Sequence, residues 1–318
     1  MAPQETRRVI VDTTVQSKNN TFPTDAKLLH RAREKLVALA KKLGLDLRQS
    51  YVRVGKFALI WHQRYAHAKQ FKRANKAPRT LKTCLGHTIR DIARQIAGED
   101  DLHDIFRKPL HLASRVLEQR QNQRGKKSLP SGLTRRVYSL HAPEVECIGK
   151  GKAHEPYEFG VKVSIATTLH RSKGGQFALH AKALPGSSYD GHTLATIIPG
   201  MESTIGNGIE RVLADAGYRG HNAPLSQKFK VFSSGQKRRM TLAVKREMKW
   251  RAAVEPVINH IKNDHHMDRN YLAGTQGNAI NAVLAAAGYN FRLLLKWPRH
   301  LLRIILAVLL GAIRPQYA

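Results

Sequence analysis

Acidic residues are scarce in this chain. Aspartate and glutamate together number 23 against 54 lysines and arginines, which leaves a formal net charge of +31 over 318 residues. That excess is larger than solubility requires, and it points to a polyanionic partner, nucleic acid being the usual one. A membrane surface is the weaker alternative. Lipid-binding charge gathers on one amphipathic helix or cluster, whereas here basic residues run the whole length. Cysteine is scarcer still. Cys84 and Cys147 are the only two, far apart and outside any CxxC pair. This excludes a disulfide framework and a zinc ribbon, and fits a reducing compartment. A membrane-spanning run is missing too. The N-terminus, MAPQETRRVIVD, has no apolar signal core. The apolar stretch Ile304 to Ile313, flanked by Arg303 and Arg314, is about half of the roughly 20 residues that a bilayer crossing needs. It reads as a buried or partner-facing helix. The expectation is a cytoplasmic, nucleoid-associated protein without a membrane partner.

Apolar residues make up 42% of the chain, enough to bury a core. The length suits one large domain or two ordinary ones. RVIVDTTV, Arg8 to Val15, is short and β-branched and reads as a strand carrying Asp12. Thr24 is a candidate N-cap, and Leu28, Ala32, Leu36, Leu39 and Leu43 recur at helical steps until Gly44. Further helices are expected over Val54 to Asn75, with Phe57, Trp61 and Tyr65 on one face, over Thr80 to Ala97, and over Leu102 to Gln121. From Arg31 to Lys82 there are fifteen Lys or Arg and two acids, Glu34 and Asp46. An ordinary solvated face mixes both signs, so one face of this block is expected to contact phosphate.

After a basic stretch, QRGKKSLPSG, the pattern changes. EFGVKVSIAT alternates as a half-buried strand, RSKGG is a turn and QFALHAKAL a second strand. PGSSYDGHTL opens a helix, with Asp190 or Ser188 near its cap. Ile209 to Asp215 is a third strand. The basic loop SGQKRRM leads into a helical region from Ala243 to Asp264, and Gly277 to Ile313 is alanine- and leucine-rich helix.

Three acids stand in three contexts: Asp12 on the first strand, Asp215 at the end of a later one, and Glu255 in WRAAVEPVINHIKND. An Asp before Gly at a strand end is often only a turn residue. Yet the order strand, hairpin, helix, strand, helix is that of a ribonuclease H-like fold, with the first strand central, the later strand beside it and the helix across their ends. There the three carboxylates would converge. Packed that closely they would repel, so they make poor structure and a good cage for hard cations. Phosphodiester cleavage uses such a cage, with two Mg²⁺ ions about 3.5–4 Å apart. Glu255 and Lys262 are two turns apart on one face. Arg251 shares that face if the helix is continuous, and Pro256 makes a start or kink at Glu255 the alternative.

The stretches VIVDTTVQ, YSLHAPEVECIGKGKAHEPYEFGVKVSIAT, PGSSYDGHTL, ADAGYRGH and RAAVEPVINHIKNDHHMDRNYL together resemble DDE transposases of bacterial insertion sequences, in the insertion-sequence-five family. The resemblance covers most of the chain, from Val9 to about Leu295. It implies Asp12, Asp215 and Glu255 as catalytic and metal-binding residues. The cofactor would be two Mg²⁺ ions, with Mn²⁺ able to substitute. It also implies a ribonuclease H-like α/β core, a mixed sheet flanked by helices, with a large all-helical insertion after the first strand. The family signature, Tyr, two residues, Arg, three residues, Glu, six residues, Lys, is met by Arg251, Glu255 and Lys262. Met248 stands at the tyrosine position, so that contact is absent.

The expected division is 1–20 first strand, 21–128 basic helical insertion, 129–295 remainder of the catalytic core and 296–318 apolar C-terminal helix. Expected partners are double-stranded DNA, as the element's terminal inverted repeats and the target, and further copies of the chain assembled on that DNA. Arg251, Lys262, Arg219, Tyr218, Lys237, Arg238 and Arg239 are the candidate DNA contacts. Family members carry a repeat-recognising segment ahead of the first Asp. Asp12 is almost at the start here, so the chain is expected to be a truncated copy, the alternatives being the second part of a split reading frame or a transfer of DNA recognition to the basic helical block. The rival expectations are a metal-dependent nuclease of the same fold and an inactive DNA-binding remnant. His260, His265 and His266 cluster near Asp264 but match no zinc spacing. Trp250 is expected in the core.

Overall fold

The computed structural model describes residues 3–119, 136–149, 156–172 and 174–313, apart from the side chains of 297, 300 and 310–313. The expected basic linker at 123–132 lies outside them. Two compact units emerge, Met1–Asn19 with Glu146–Ala318, and Asn20–Val145. In chain order the elements begin α1 (Pro3–Thr6), β1 (Arg8–Ser17), α2 (Asp25–Lys42), α3 (Val52–His67), α4 (Phe71–Ala74), α5 (Ala77–Gln95) and α6 (Asp100–Glu118). There follow β2 (Glu146–Gly149), β3 (Tyr157–Thr168), β4 (Ala178–Leu184), α7 (Leu194–Ile205), β5 (Arg211–Ala214), β6 (Val231–Ser233), α8 (Leu242–Lys249), α9 (Val254–Asn263) and α10 (Gly274–Ile313).

The helical unit is built on α2, whose Thr24 cap accepts from the Lys27 amide at 3.3 Å. Leu36, Leu81, Leu85, Ile92, Phe106 and Val116 form its core. The helix expected from Val54 to Asn75 is broken, because Lys69 turns left-handed at φ 57° and restarts the chain as α4. Val137 is buried in this core and Leu140 packs against it. The unit therefore runs on to Val145 rather than ending at 128, since these apolar side chains bury against helices.

The other unit holds a six-stranded mixed sheet in the order β2-β3-β1-β5-β6, with β4 pairing β3. The first strand is central. It pairs antiparallel with β3, Asp12 opposite Ile165, and parallel with β5, Val11 opposite Ala214. β3 pairs antiparallel with β4 and β5 parallel with β6. Strand alternation splits the apolar side chains of β1 and β5 between two faces. Val9, Val11, Val212 and Ala214 join α7 residues Leu194 and Ile198 on one. Ile10 and Leu213 join Val244 of α8 and Val254 of α9 on the other. Glu247 of α8 is nearly buried and ion-pairs with Arg8 at 3.2 Å and with Arg211, which ties α8 to the starts of β1 and β5.

The helical region expected from Ala243 to Asp264 divides into α8, a 3-10 turn at Arg251–Ala253, and α9. Pro256 falls in the first turn of α9, where its missing N–H costs nothing. The described part of the apolar segment, 296–313, is not a separate helix. It continues α10, which packs through Ala282, Ala285, Ala286, Tyr289 and Leu293. Asn290 of α10 both donates to and accepts from the backbone of Ala178, at 2.8 and 2.9 Å. From Leu294 to Leu309 every described side chain is exposed. Among the described residues no helix is long and apolar enough to cross a membrane.

Candidate active site

The parallel register generates the site. Val11 faces Ala214, so the next residue of each strand segment is an aspartate, Asp12 beside Asp215. Alternation turns both carboxylates toward the face of Ile10 and Leu213, which Val254 covers. Glu255 follows Val254 directly, and Arg251 precedes it by one turn.

All three acids meet one guanidinium. Arg251 Nη1 lies 3.8 Å from Asp12 Oδ2 and 3.9 Å from Asp215 Oδ1, and its Nη2 lies 3.6 Å from Glu255 Oε1. The Arg251 side chain is 16% exposed, Asp12 19%, Asp215 51% and Glu255 64%, so the cluster opens to solvent on the Glu255 side. Burial pushes the Asp12 carboxyl up to about 6, and the charges of Asp215 and Asp190 add to the rise. The Thr13 amide, donating to Asp12 Oδ1 at 2.8 Å, and Arg251 pull it down. Burial thus disfavours the charged form of Asp12, and Arg251 offsets part of that cost. The donor set, three carboxylates, suits a hard divalent cation. The acids surround the guanidinium rather than one another. Among the described residues no group of three His, Cys, Asp or Glu side chains is gathered tightly enough to hold a metal ion.

Lys262 is held by Glu158, Nζ to Oε2 3.5 Å, and not by Glu255. Arg219 is exposed but folds back, its Nη2 donating to the Ser234 carbonyl at 3.1 Å. Lys237, Arg238 and Arg239 are exposed, and Arg239 lies over the Phe229 ring at 4.2 Å. Tyr218 is a correction. It is 1% exposed, packed with Val11 and Ala214, and cannot reach DNA from there. Burial raises its phenol well above the usual value. Trp250 is the opposite correction. It is 56% exposed, set edge-on to His170 at 5.7 Å. Met248 packs in the cluster of Ile10 and Leu213.

Two further residues lie near the site. Asp190, read as a helix cap, accepts from Thr13 Oγ1 at 3.0 Å and from Lys162 Nζ at 2.8 Å on the face opposite Asp12. Lys162 also donates to the Ser188 carbonyl at 2.8 Å. The signal was there in VKV, a lysine inside an apolar strand, which is costly without a partner. His260 hydrogen-bonds Asp264 at 2.7 Å and Asp264 pairs with Arg292, so that cluster is an ion-pair network on α9 and α10.

No family model matches this chain, and no solved structure matches it. A protein of Rhizobium meliloti, described as "Uncharacterized protein ORF8 in nfe locus", is 52% identical over 69 residues, 22% of this chain. The chain spans about a third (33%) of that relative's length, and its description names no activity.

Proposed function

We propose that the sheet-bearing unit is the catalytic core of a DDE transposase, which cleaves DNA at the ends of an insertion sequence and joins those ends to target DNA. The carrying observation is that Asp12, Asp215 and Glu255, from three separate elements, all ion-pair with Arg251. Two further features support the reading. The first strand is central, with an antiparallel hairpin on one side and a parallel strand on the other, as in a ribonuclease H-like core. The net charge of +31 suits a DNA partner.

In this reading two Mg²⁺ ions, or Mn²⁺ in their place, supply water activation and charge screening for the phosphodiester. Asp12 and Asp215 on the sheet and Glu255 on α9 are the residues that would hold them. Arg251, no longer needed to balance the carboxylates, would pair with phosphate, a bidentate partner it fits well. Lys262, kept in place by Glu158, adds positive charge on the same helix. Water cleaves the strand to free a 3′-hydroxyl. That hydroxyl then attacks a target phosphodiester, and the bond formed replaces the bond broken.

The guanidinium among the acids also favours a rival, a DNA-binding remnant in which Arg251 permanently fills the cation position. Plasmid nicking separates the two. The parent is expected to nick supercoiled DNA with Mg²⁺ and not with EDTA, and Asp215→Ala and Glu255→Ala to abolish nicking while keeping DNA affinity. Identical behaviour of Asp215→Ala and parent would refute catalysis. Transfer of a labelled oligonucleotide 3′ end into plasmid separates a transposase from a hydrolytic nuclease of the same fold.

A further inference from the structure

The helix α3 carries aromatic residues at four-residue steps, Phe57, Trp61 and Tyr65, which align along one face. An ordinary amphipathic helix buries such a face. This one does not: Gly55 and Ala58 are its buried residues, while Phe57 is 43% and Trp61 54% exposed. The Phe57 and Trp61 rings lie 6.2 Å apart at 35°, and Arg73 sits over the Tyr65 ring at 5.9 Å. Together they line a cleft of about 570 Å³ whose charged residues are Arg53, Arg73 and Lys76, with no acid among its described lining residues. That size falls within the roughly 300–1,000 Å³ of small-ligand sites.

We propose that this cleft binds an unstacked nucleotide of DNA, its base against Trp61 and Phe57 and its flanking phosphates on Arg53, Arg73 and Lys76. Rings and cations together decide the class of ligand. A purely apolar segment would satisfy the rings and strand three cations away from water. A paired duplex would satisfy the cations and leave the rings uncovered, because its bases already stack on one another. An unpaired nucleotide satisfies both, and any base will do since every base has a π-face. The site lies in the helical unit alone. It shares with the proposed chemistry only the class of ligand, and it stands whether or not the carboxylates cut DNA.

The test uses the full chain with EDTA present, so that cleavage plays no part. Three DNA probes are titrated: a paired duplex, the same duplex with a single bulged 2-aminopurine, and a 2-aminopurine single strand. The parent is expected to change the fluorescence of the bulged and single-stranded probes and to bind both more tightly than the paired duplex. Trp61→Ala is expected to lose that change and roughly tenfold in affinity for those two probes, with less than a twofold effect on the paired duplex. Trp61→Phe is expected to recover most of the loss, and an unchanged melting temperature for both variants shows that the helix still folds. An unaltered 2-aminopurine signal in the parent overturns the proposal. So does an equal loss of affinity for paired and unpaired probes in Trp61→Ala.

Discussion

Asp12 shows how one side chain can work against the stability of its own fold. Its carboxyl is raised from 3.8 to about 6, chiefly by burial. A raised acid holds its proton longer in the folded state than in the unfolded one. The contribution of Asp12 to stability therefore falls as pH rises between about 4 and 6, by up to about 3 kcal/mol, and stays lower above that window. In metal-free buffer Asp12→Asn is expected to remove this fall and to be the more stable protein at neutral pH. Denaturant titrations of both proteins across pH 4 to 7 check it, and a parent that does not lose stability relative to Asp12→Asn over that range would contradict the assignment. The strand and helix positions of the three acids were legible in the sequence, because each breaks or ends an apolar pattern. Their common contact with Arg251 was not, since it depends on the 3-10 turn that carries Arg251. The fates of Tyr218 and Trp250 were reversed for a related reason. Whether an aromatic is covered depends on the neighbour that packs there, α7 for Tyr218, whereas Trp250 meets the His170 ring edge-on and stays 56% exposed.

At the scale of elements, register does the positioning. β3 approaches β1 so closely at Gly160 that a Cβ there would lie 2.0 Å from the Gln16 carbonyl oxygen. Gly160→Ala is expected to push the two strands apart at a cost of about 3 kcal/mol and to weaken the site at Asp12 indirectly. A lowered unfolding midpoint measures the first effect, and a variant as stable as the parent would show that the pairing is looser than the register implies. The hairpin of β3 and β4 was readable from alternation. β6 was missed, because three residues, Val231–Ser233, carry too little pattern to separate from loop. β2 was missed for the same reason, with four.

For the whole molecule, the two-unit division was legible as a change from helical to alternating pattern, but its boundary was not. Val137 looks like any valine until a helical core is there to receive it. The outer part of α10 was expected to be buried or partner-facing. Among the described residues nothing buries it, and Leu301, Leu302, Ile305 and Leu309 are all about half exposed. Exposed apolar surface on this scale promotes association. Ending the chain after Lys296 is expected to leave the unfolding midpoint within about 2 °C of the parent and to reduce self-association in sedimentation. A drop of several degrees would mean that this stretch stabilises the fold after all.

The chain's interruption by the helical unit also sets an order of events at birth. β1 is made before the helical unit, yet its partners β3 and β5 lie beyond residue 156. At roughly 5–20 residues per second, that strand waits on the order of ten seconds for a neighbour. The helices, whose contacts are nearer in sequence, have time to close first. Asp12 is thus made ahead of its sheet neighbours and reaches its final surroundings only once they have followed it.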